Sequence, residues 1–516
     1  MKPKVGIFQL ASCSGCLLSH LDTGKIVQFM KDYDVKYYPL VMDSRTIPDE
    51  LDLAVFEGAV GTIEKGHMKL ITDIRQKSKK VASLGACAVT TGILMHSAGN
   101  QMPMPETDAF LPISEIVNVD YAIPGCPPSP EIIERFFDAF LRKDEKYLQA
   151  FTNIEENSEI NIRYITQRAL CISCGLCTAV CPTLALSDIE GKPVIRDEIC
   201  VKCGECRFQC PRSYMPLDYI NETVFKDEST SIDEYLGRYM SIYTARATKQ
   251  EILKNAQSGG TTTALLNYCL DSRIIDGILT GGKDKEKYWL ARSTLVTNYE
   301  ELIETTGTTY NLCPTLNILK DAATSNYLKN IAIVGLPCVQ QAIRKLEIYP
   351  LSMRSVIDKL SLRVGLFCTH NFRYNAMIKM MEELGEIRAE DTYKVDIGAG
   401  NYMIYSVSGD VQKIPIDVVR EYEQESCSIC PDFTAELSDI SIGSIGAPDG
   451  WNTVIVRTKT GQKAFEAAVQ GGYIEIGKEG KIPIDIELVK KLSKIKKNRS
   501  KKKIENRKKY NLKVPF

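Results

Sequence analysis

Histidine is scarce in this sequence, at 4 of 516 residues, and tryptophan scarcer, at 2. So few imidazoles exclude a His-rich metal centre. An excess of charge is also missing: 64 Lys+Arg against 65 Asp+Glu leave a formal net charge of -1. No global field is therefore available to hold nucleic acid or an anionic membrane. No window approaches 18 consecutive apolar residues, so no integral membrane segment is expected. The 44% hydrophobic and 25% charged shares are those of an ordinary soluble, folded chain. At roughly 150 residues per domain, the length predicts about three domains.

What the chain has in quantity is cysteine, 18 residues concentrated in a few short segments. Disulfide scaffolds are short and lack large cores, so a reducing compartment, the cytoplasm, is expected. Leu10-Ala11-Ser12-Cys13 would pass as a lipoprotein cleavage box. However, the apolar stretch before it falls short of a signal core and Gln9 interrupts it. The stretch reads better as a buried strand ending at a turn that carries Cys13 and Cys16.

Val5 to Leu10, Val35 to Val41, Leu51 to Glu57, Lys80 to Leu84 and Asp120 to Ile123 are β-rich runs. Between them lie amphipathic segments such as Leu21 to Lys31 and Gly66 to Lys77. The alternation predicts a parallel sheet with helices on both faces, whose reactive edge lies beyond the strands' carboxyl ends. Cys13 and Cys16 come after the first strand, Cys87 after the fourth and Cys126 after the last. Four thiolates converging there suit a [4Fe–4S] cube or structural zinc, and spacing alone leaves both open.

Cys171-x2-Cys174-x2-Cys177-x3-Cys181-Pro182 and Cys200-x2-Cys203-x2-Cys206-x3-Cys210-Pro211 are one motif written twice, 29 residues apart. This is the spacing of bacterial two-cluster ferredoxins, in which the fourth Cys of each run ligates the other cluster. Cys171, Cys174, Cys177 and Cys210 are therefore expected on one cube. Cys200, Cys203, Cys206 and Cys181 are expected on the second. Zinc ribbons need pairs, not quartets, and have no use for the closing prolines.

A charged stretch, Lys226 to Glu234, precedes the last region. There Gln257-Ser258-Gly259-Gly260-Thr261 leads into an apolar helix, a weak phosphate-binding signal whose plain alternative is a tight turn with a Thr cap. Thr306-Gly307-Thr308-Thr309-Tyr310 is a second such candidate. Strands Ile331 to Val334 and Leu362 to Leu366 lead to Cys338 and Cys368, and Cys427 and Cys430 come later in a CxxC pair. Cys269 reads as an inert buried thiol, and Cys313 has no assigned role. Lys490 to Lys509 holds twelve Lys/Arg in twenty positions. Such a run usually forms a solvated, frayed helix, and docking to an acidic partner is the sharper alternative.

Several of these segments carry a resemblance. Cys13-Ser14-Gly15-Cys16, Phe56-Glu57-Gly58, Leu84-Gly85-Ala86-Cys87-Ala88 and Pro124-Gly125-Cys126-Pro127-Pro128-Ser129-Pro130 resemble the small, or gamma, subunit of coenzyme F-420-reducing nickel–iron hydrogenases. The resemblance implies that Cys13, Cys16, Cys87 and Cys126 hold a proximal cluster facing the nickel–iron site of a separate large subunit. Val89 stands where some relatives have a further Cys. Glu57 would face that partner's proton path or simply cap a turn.

The glycine motifs and cysteines of the last region, with Ala435 to Gly443 and Gly450-Trp451-Asn452-Thr453, resemble the coenzyme F-420 hydrogenase/dehydrogenase beta subunit. This implies Cys338, Cys368, Cys427 and Cys430 as ligands of a fourth cluster. It implies Gly259, Gly260, Thr261, Gly307 and Tyr310 as contacts of FAD; a place for Cys313 near that flavin is the sharper alternative to an ordinary thiol. Val339 departs from the Gln that many relatives have there.

The expected architecture is α/β and multidomain: a flavodoxin-like parallel sheet (1–150), a two-cluster α+β ferredoxin insert (155–222), an α/β flavin domain (235–490) and a basic C-terminal tail (491–516). The expected function is a cytoplasmic electron-transfer and flavin subunit of a higher oligomer. Electrons from a hydrogen-splitting large subunit would cross four [4Fe–4S] clusters to FAD and leave as hydride on coenzyme F-420, the substrate. The alternative is an adaptor between coenzyme F-420 and a redox partner without nickel. No catalytic side chain is singled out.

Overall fold

A computed structural model describes residues 2–43, 46–61, 65–96, 110–152, 161–226, 228–351, 353–398, 400–478 and 481–516. The first block is built on five strands in the spatial order Asp34–Tyr37, Lys4–Gln9, Leu51–Glu57, Ser78–Leu84, Tyr121–Ile123. Every pairing is parallel. Numbered along the chain, the order is 2-1-3-4-5, that of doubly wound sheets whose ligands sit beyond the carboxyl ends. The central strand Leu51–Glu57 is buried along nearly its whole length, as a sheet covered on both faces requires.

Two expected elements are shorter than predicted. The strand expected over Val35 to Val41 ends at Tyr37, two residues before Pro39. The helix expected over Leu21 to Lys31 is broken between Leu21 and Ile26, where Gly24 takes a φ of +69° that no continuing helix tolerates.

The second block has an eight-stranded mixed sheet, in the order Ala291–Val296, Gly277–Lys283, Ile331–Gly335, Leu360–Leu366, Ile440–Gly443, Asn452–Val456, Ser241–Ala247, Ile474–Ile476. Its parallel strands are Gly277–Lys283, Ile331–Gly335, Leu360–Leu366 and Ile440–Gly443. A three-stranded antiparallel sheet, Thr392–Gly398, Asn401–Ser406 and Val411–Pro415, adds a smaller core around Trp289, Phe372 and Tyr402. Between the two blocks lie the short helices Leu176–Ala179 and Glu205–Gln209 and the hairpin Leu186–Ile189/Lys192–Ile195.

The blocks do not stand apart. The core of the first sheet takes in Phe208 and Met215 from the cysteine-rich segment, and Tyr349, Leu351 and Leu437 from the last region. Tyr147 stacks on Tyr349 at 4.8 Å, and Arg135 donates to the carbonyls of Glu347 and Ile348 at 3.0 and 2.7 Å. The cysteine-rich segment shares a second core with the large sheet, Leu176 and Val180 joining Ile333, Val339 and Ile343. Burial of this kind removes the freedom that a charged linker suggests from sequence.

The basic C-terminal segment is not a free tail. Ile486–Lys509 is one helix, started by the Asp485 carboxylate accepting from the Leu488 amide at 2.9 Å. Its buried residues, Val489, Ser493, Lys496, Ser500 and Arg507, fall on a three-to-four residue stripe. Lys490 pairs with Asp233 at 2.9 Å, Lys497 with Glu436 at 2.7 Å and Arg499 with Glu423 at 3.1 Å. A buried stripe that is largely polar gives no amphipathic signal, which is why the packing does not show in the sequence. Among the described residues, no helix is long and apolar enough to cross a membrane.

Candidate functional site

The first four cysteines stand at strand ends. Cys13 and Cys16 flank the start of helix Gly15–Leu21, Cys87 lies in helix Gly85–Thr90, and Cys126 comes after strand Tyr121–Ile123. Gly85 sits at φ +83°, and a Cβ there would lie 2.2 Å from the Cys16 sulfur, so only glycine admits that thiol. The Ala86 amide donates to Gly125 O at 2.7 Å, binding the Cys87 and Cys126 segments together. Burial pushes the Cys87 thiol up to about 12, with Cys126 and Cys13 adding to the shift. Glu57, 1% exposed, accepts from the Cys16 amide at 3.2 Å, which is the capping role; its second oxygen has no partner. Burial raises its carboxyl against that hydrogen bond.

The repeated motif recurs in the backbone. Ser173 and Lys202 take φ of 53° and 48°, Gly175 and Gly204 take 84° and 82°, and each pair is 29 residues apart. These left-handed positions curl each run round a hollow. One hollow is lined by Cys171, Cys174, Cys177 and Cys210, the other by Cys181, Cys200, Cys203 and Cys206. Each thus takes its fourth thiol from the opposite run. Burial pushes Cys174 up to about 12 with Cys210 adding to it, and Cys206 up to about 12 with Cys181 adding to it.

The last four thiols, of Cys338, Cys368, Cys427 and Cys430, line one cavity in the large sheet's block. Cys338 is the second residue of helix Pro337–Ile348, and Cys368 comes after strand Leu360–Leu366. The Cys368 amide donates to Phe433 O at 2.9 Å, and helix Ile486–Lys509 closes the site with Lys496 Nζ on Cys368 O at 2.6 Å. Burial pushes Cys427 up to about 12, Cys368 adding to it.

Thiols gathered in one place disfavour each other's ionisation, and a metal core that takes thiolates removes the conflict by releasing their protons. A single ion needs its donors about 2.0–2.3 Å from one point. Among the described residues, no three His, Cys, Asp or Glu side chains are grouped to hold one ion.

The four sets are in contact in a definite order. The Gly125 amide, beside Cys126, donates to Cys203 O at 3.1 Å, and Thr90 Oγ1 to Lys202 O at 2.8 Å. At the other end, Gln424 Nε2 and Ser426 Oγ, beside Cys427, both donate to Cys171 O at 2.7 Å. The first set therefore abuts the Cys203 set, and the Cys171 set abuts the last.

The expected flavin residues divide. Gly307, at φ +92°, lines the cavity of the last thiol set, with Thr280, Gly281, Thr308 and Asn311. Gly259, Gly260, Thr261 and Tyr310 do not line it. Thr261 is fully buried, its hydroxyl donating to Ala245 O at 2.9 Å and to Asn452 Oδ1 at 3.0 Å. A Cβ on Gly259 would meet Asn452 Oδ1 at 2.7 Å, so this glycine turn is packed onto the Trp451-Asn452 segment. Tyr310 donates to Asp396 at 3.4 Å. Sequence reasoning missed Gly281, signalled by Gly281-Gly282 in a strand, and Arg212 and Lys496, which nothing in the sequence singled out. Cys313 also lines the cavity.

Residues 13–140 match the family model described as NADH ubiquinone oxidoreductase, 20 Kd subunit, and residues 152–215 that of a 4Fe-4S dicluster domain. Residues 242–320 and 328–481 match the N-terminal and C-terminal models of coenzyme F-420 hydrogenase/dehydrogenase, beta subunit. The beta subunit of coenzyme F-420 hydrogenase from Methanococcus voltae is 40% identical over 280 residues, 54% of this chain and 99% of that protein. The chain belongs to the coenzyme F-420 hydrogenase beta-subunit family.

This beta-subunit-like part is joined to a second one. The gamma subunit of coenzyme F-420 hydrogenase from Methanosarcina barkeri is 38% identical over 238 residues, 43% of this chain and 92% of the relative. The family member is thus a fusion of gamma-like and beta-like parts, an oxidoreductase with iron–sulfur domains. A chain of the xenon-derivatised F-420-reducing [NiFe] hydrogenase complex from Methanosarcina barkeri aligns at a TM-score of 0.53 and 36% identity. The alignment covers 55% of this chain and 99% of that one.

Proposed function

We propose that this chain conducts electrons between a separate nickel–iron large subunit and coenzyme F-420, using four [4Fe–4S] groups and FAD. The reading is carried by one observation, the contact order of the four thiol sets. From Cys13/Cys16/Cys87/Cys126, contacts lead to Cys181/Cys200/Cys203/Cys206; that set is interleaved with Cys171/Cys174/Cys177/Cys210, each hollow taking one thiol from the other run, and from there contacts lead to Cys338/Cys368/Cys427/Cys430. Bound there, iron–sulfur cubes supply one-electron transfer, and a flavin supplies the conversion between single electrons and hydride.

The chain's own residues hold and shield these places. Cys13 and Cys126 are exposed, which leaves the first set open towards a partner subunit, whereas Cys174, Cys181, Cys203, Cys206 and Cys210 are buried from water. Gly307 and its neighbours share a cavity with the last thiol set, which supports placing the flavin next to that cluster.

Anaerobically purified protein should contain about sixteen irons per chain, four for each cube, with non-covalent FAD. Mainly zinc, or iron near eight per chain, would overturn the cluster assignment, and absence of flavin would overturn the hydride step. In Gly85→Ala, whose methyl group would overlap the Cys16 sulfur, iron should fall by about four per chain while flavin is retained. Unchanged iron would remove Cys16 from the ligand set.

A further inference from the structure

Arg212 lies two residues beyond Cys210 and is fully buried, at 0% exposure. None of its Nε, Nη1 and Nη2 atoms has a hydrogen-bond partner. The Phe516 ring lies 5.1 Å from the guanidinium carbon, an apolar cover that leaves the N–H donors unspent. A guanidinium does not lose its charge in proteins. A buried cation with nothing to pair with is strongly destabilising, so the fold implies an anionic partner.

The two buried lysines nearby differ in this respect. Lys345 Nζ donates to Cys210 O at 2.9 Å and Tyr214 O at 2.6 Å, and Lys496 Nζ to Cys368 O at 2.6 Å. Arg212 lines the cavity ringed by Cys338, Cys368, Cys427 and Cys430, as Lys496 does, but with every side-chain donor unspent. Its backbone amide points the other way, at the Cys210 sulfur 3.4 Å off, on the neighbouring thiol set. Within residues 161–226 the other residue on that cavity is Ile172, an apolar wall that also lines the Cys210 hollow.

We propose that Arg212 is the fixed positive charge and hydrogen-bond donor that raises the reduction potential of the iron–sulfur group held by Cys338, Cys368, Cys427 and Cys430. The proposal rests on the cluster reading above. Reduction of a site held by four thiolates adds one electron and one negative charge. A cation and N–H donors to sulfur favour the more negative state. In a cavity screened from water, that field is strong. Arg212 thereby biases electron transfer across the junction towards the last set.

The test is a redox titration of the full-length chain monitored by electron paramagnetic resonance, on wild type, Arg212→Gln and Arg212→Lys. In Arg212→Gln, one reduction step should move down so that the reduced-to-oxidised ratio at fixed potential falls at least tenfold, about 59 mV for one electron. The step that moves should be the one missing from Cys427→Ala. Arg212→Lys, which keeps the charge, should change the ratio less than about threefold, roughly half that shift. Iron retained with no shift in Arg212→Gln overturns the proposal, as does a shift in a different step or an equal shift in Arg212→Lys. Loss of about four irons in Arg212→Gln alone supports it, and loss in both variants overturns it, since packing rather than charge would then be at work. Wild-type iron far below about sixteen per chain would instead reject the cluster reading itself.

Discussion

Replacing Cys203 with alanine should abolish electron transfer between a hydrogen-splitting large subunit and coenzyme F-420, while reduced coenzyme F-420 still delivers hydride to the isolated chain. Cys203 lines the hollow with Cys181, Cys200 and Cys206, and its carbonyl receives the Gly125 amide at 3.1 Å, the contact that joins this hollow to the first thiol set. Cys338, Cys368, Cys427 and Cys430 share no residue with that hollow, so the flavin half-reaction should persist. Iron should fall by about four per chain. The check is coupled turnover with the large subunit added, measured beside oxidation of reduced coenzyme F-420 by an artificial one-electron acceptor. A wild-type coupled rate would reject the linear order, and loss of both reactions would show that the two ends are not independent.

The second large effect concerns stability. Asp439, 3% exposed, lies at the centre of a buried ion network. It binds Arg344 at 2.8 Å and Arg363 at 3.4 Å, and accepts from the Arg363 amide at 2.8 Å and the Thr458 hydroxyl at 2.9 Å. Glu347 is the other anion, 2.9 Å from Arg344 and also paired with Arg363. Asp439→Ala leaves two buried guanidinium groups with one carboxylate and should destabilise the chain by about 3–5 kcal/mol. Asp439→Asn, which keeps a hydrogen-bond acceptor but not the charge, should recover part of that.

The pH dependence is set by the carboxyl. Burial works to raise Asp439, but Arg344 and Arg363 overcome it and hold the group below the ordinary carboxylate range. Its folded pKa is thus depressed, so its contribution is present above the unfolded value and is lost as pH falls through the folded one. The gap between wild type and Asp439→Ala in denaturant unfolding should be flat above about pH 5 and narrow below about pH 4. A gap under about 1 kcal/mol at neutral pH would mean that the network is not what holds this junction.

How much of this is legible beforehand depends on how local the determinant is. The repeat at Cys171 and Cys200 is readable because a cluster-binding loop needs thiols two or three residues apart, and its crossed partners line the two hollows that the structure forms. The first sheet is readable because its strands are short, β-rich and evenly separated, and because parallel strands deliver the loops at their carboxyl ends to one edge. The turn at Gly259, Gly260 and Thr261 is readable as a turn. That it packs on Asn452 is not, since the two segments lie nearly two hundred residues apart.

The basic helix misleads for a related reason. Its charges resemble a solvated face, yet Lys496, Ser493 and Ser500 are buried because Cys368 O, Tyr235 O and Ile429 O, respectively, need donors. No periodicity of apolar residues records that need. The spacing of the repeated motif thus pointed, from the sequence alone, to which of its eight thiols line one hollow, because ligand spacing there is a short-range property of the chain, whereas the first set was read from strand ends and the last from a resemblance. Only the tertiary structure decided which set touches which, that the three parts share continuous cores, and that Arg212 is left without a partner. These depend on segments brought together across hundreds of residues by burial of apolar surface, which is not directional and leaves no local mark in the sequence.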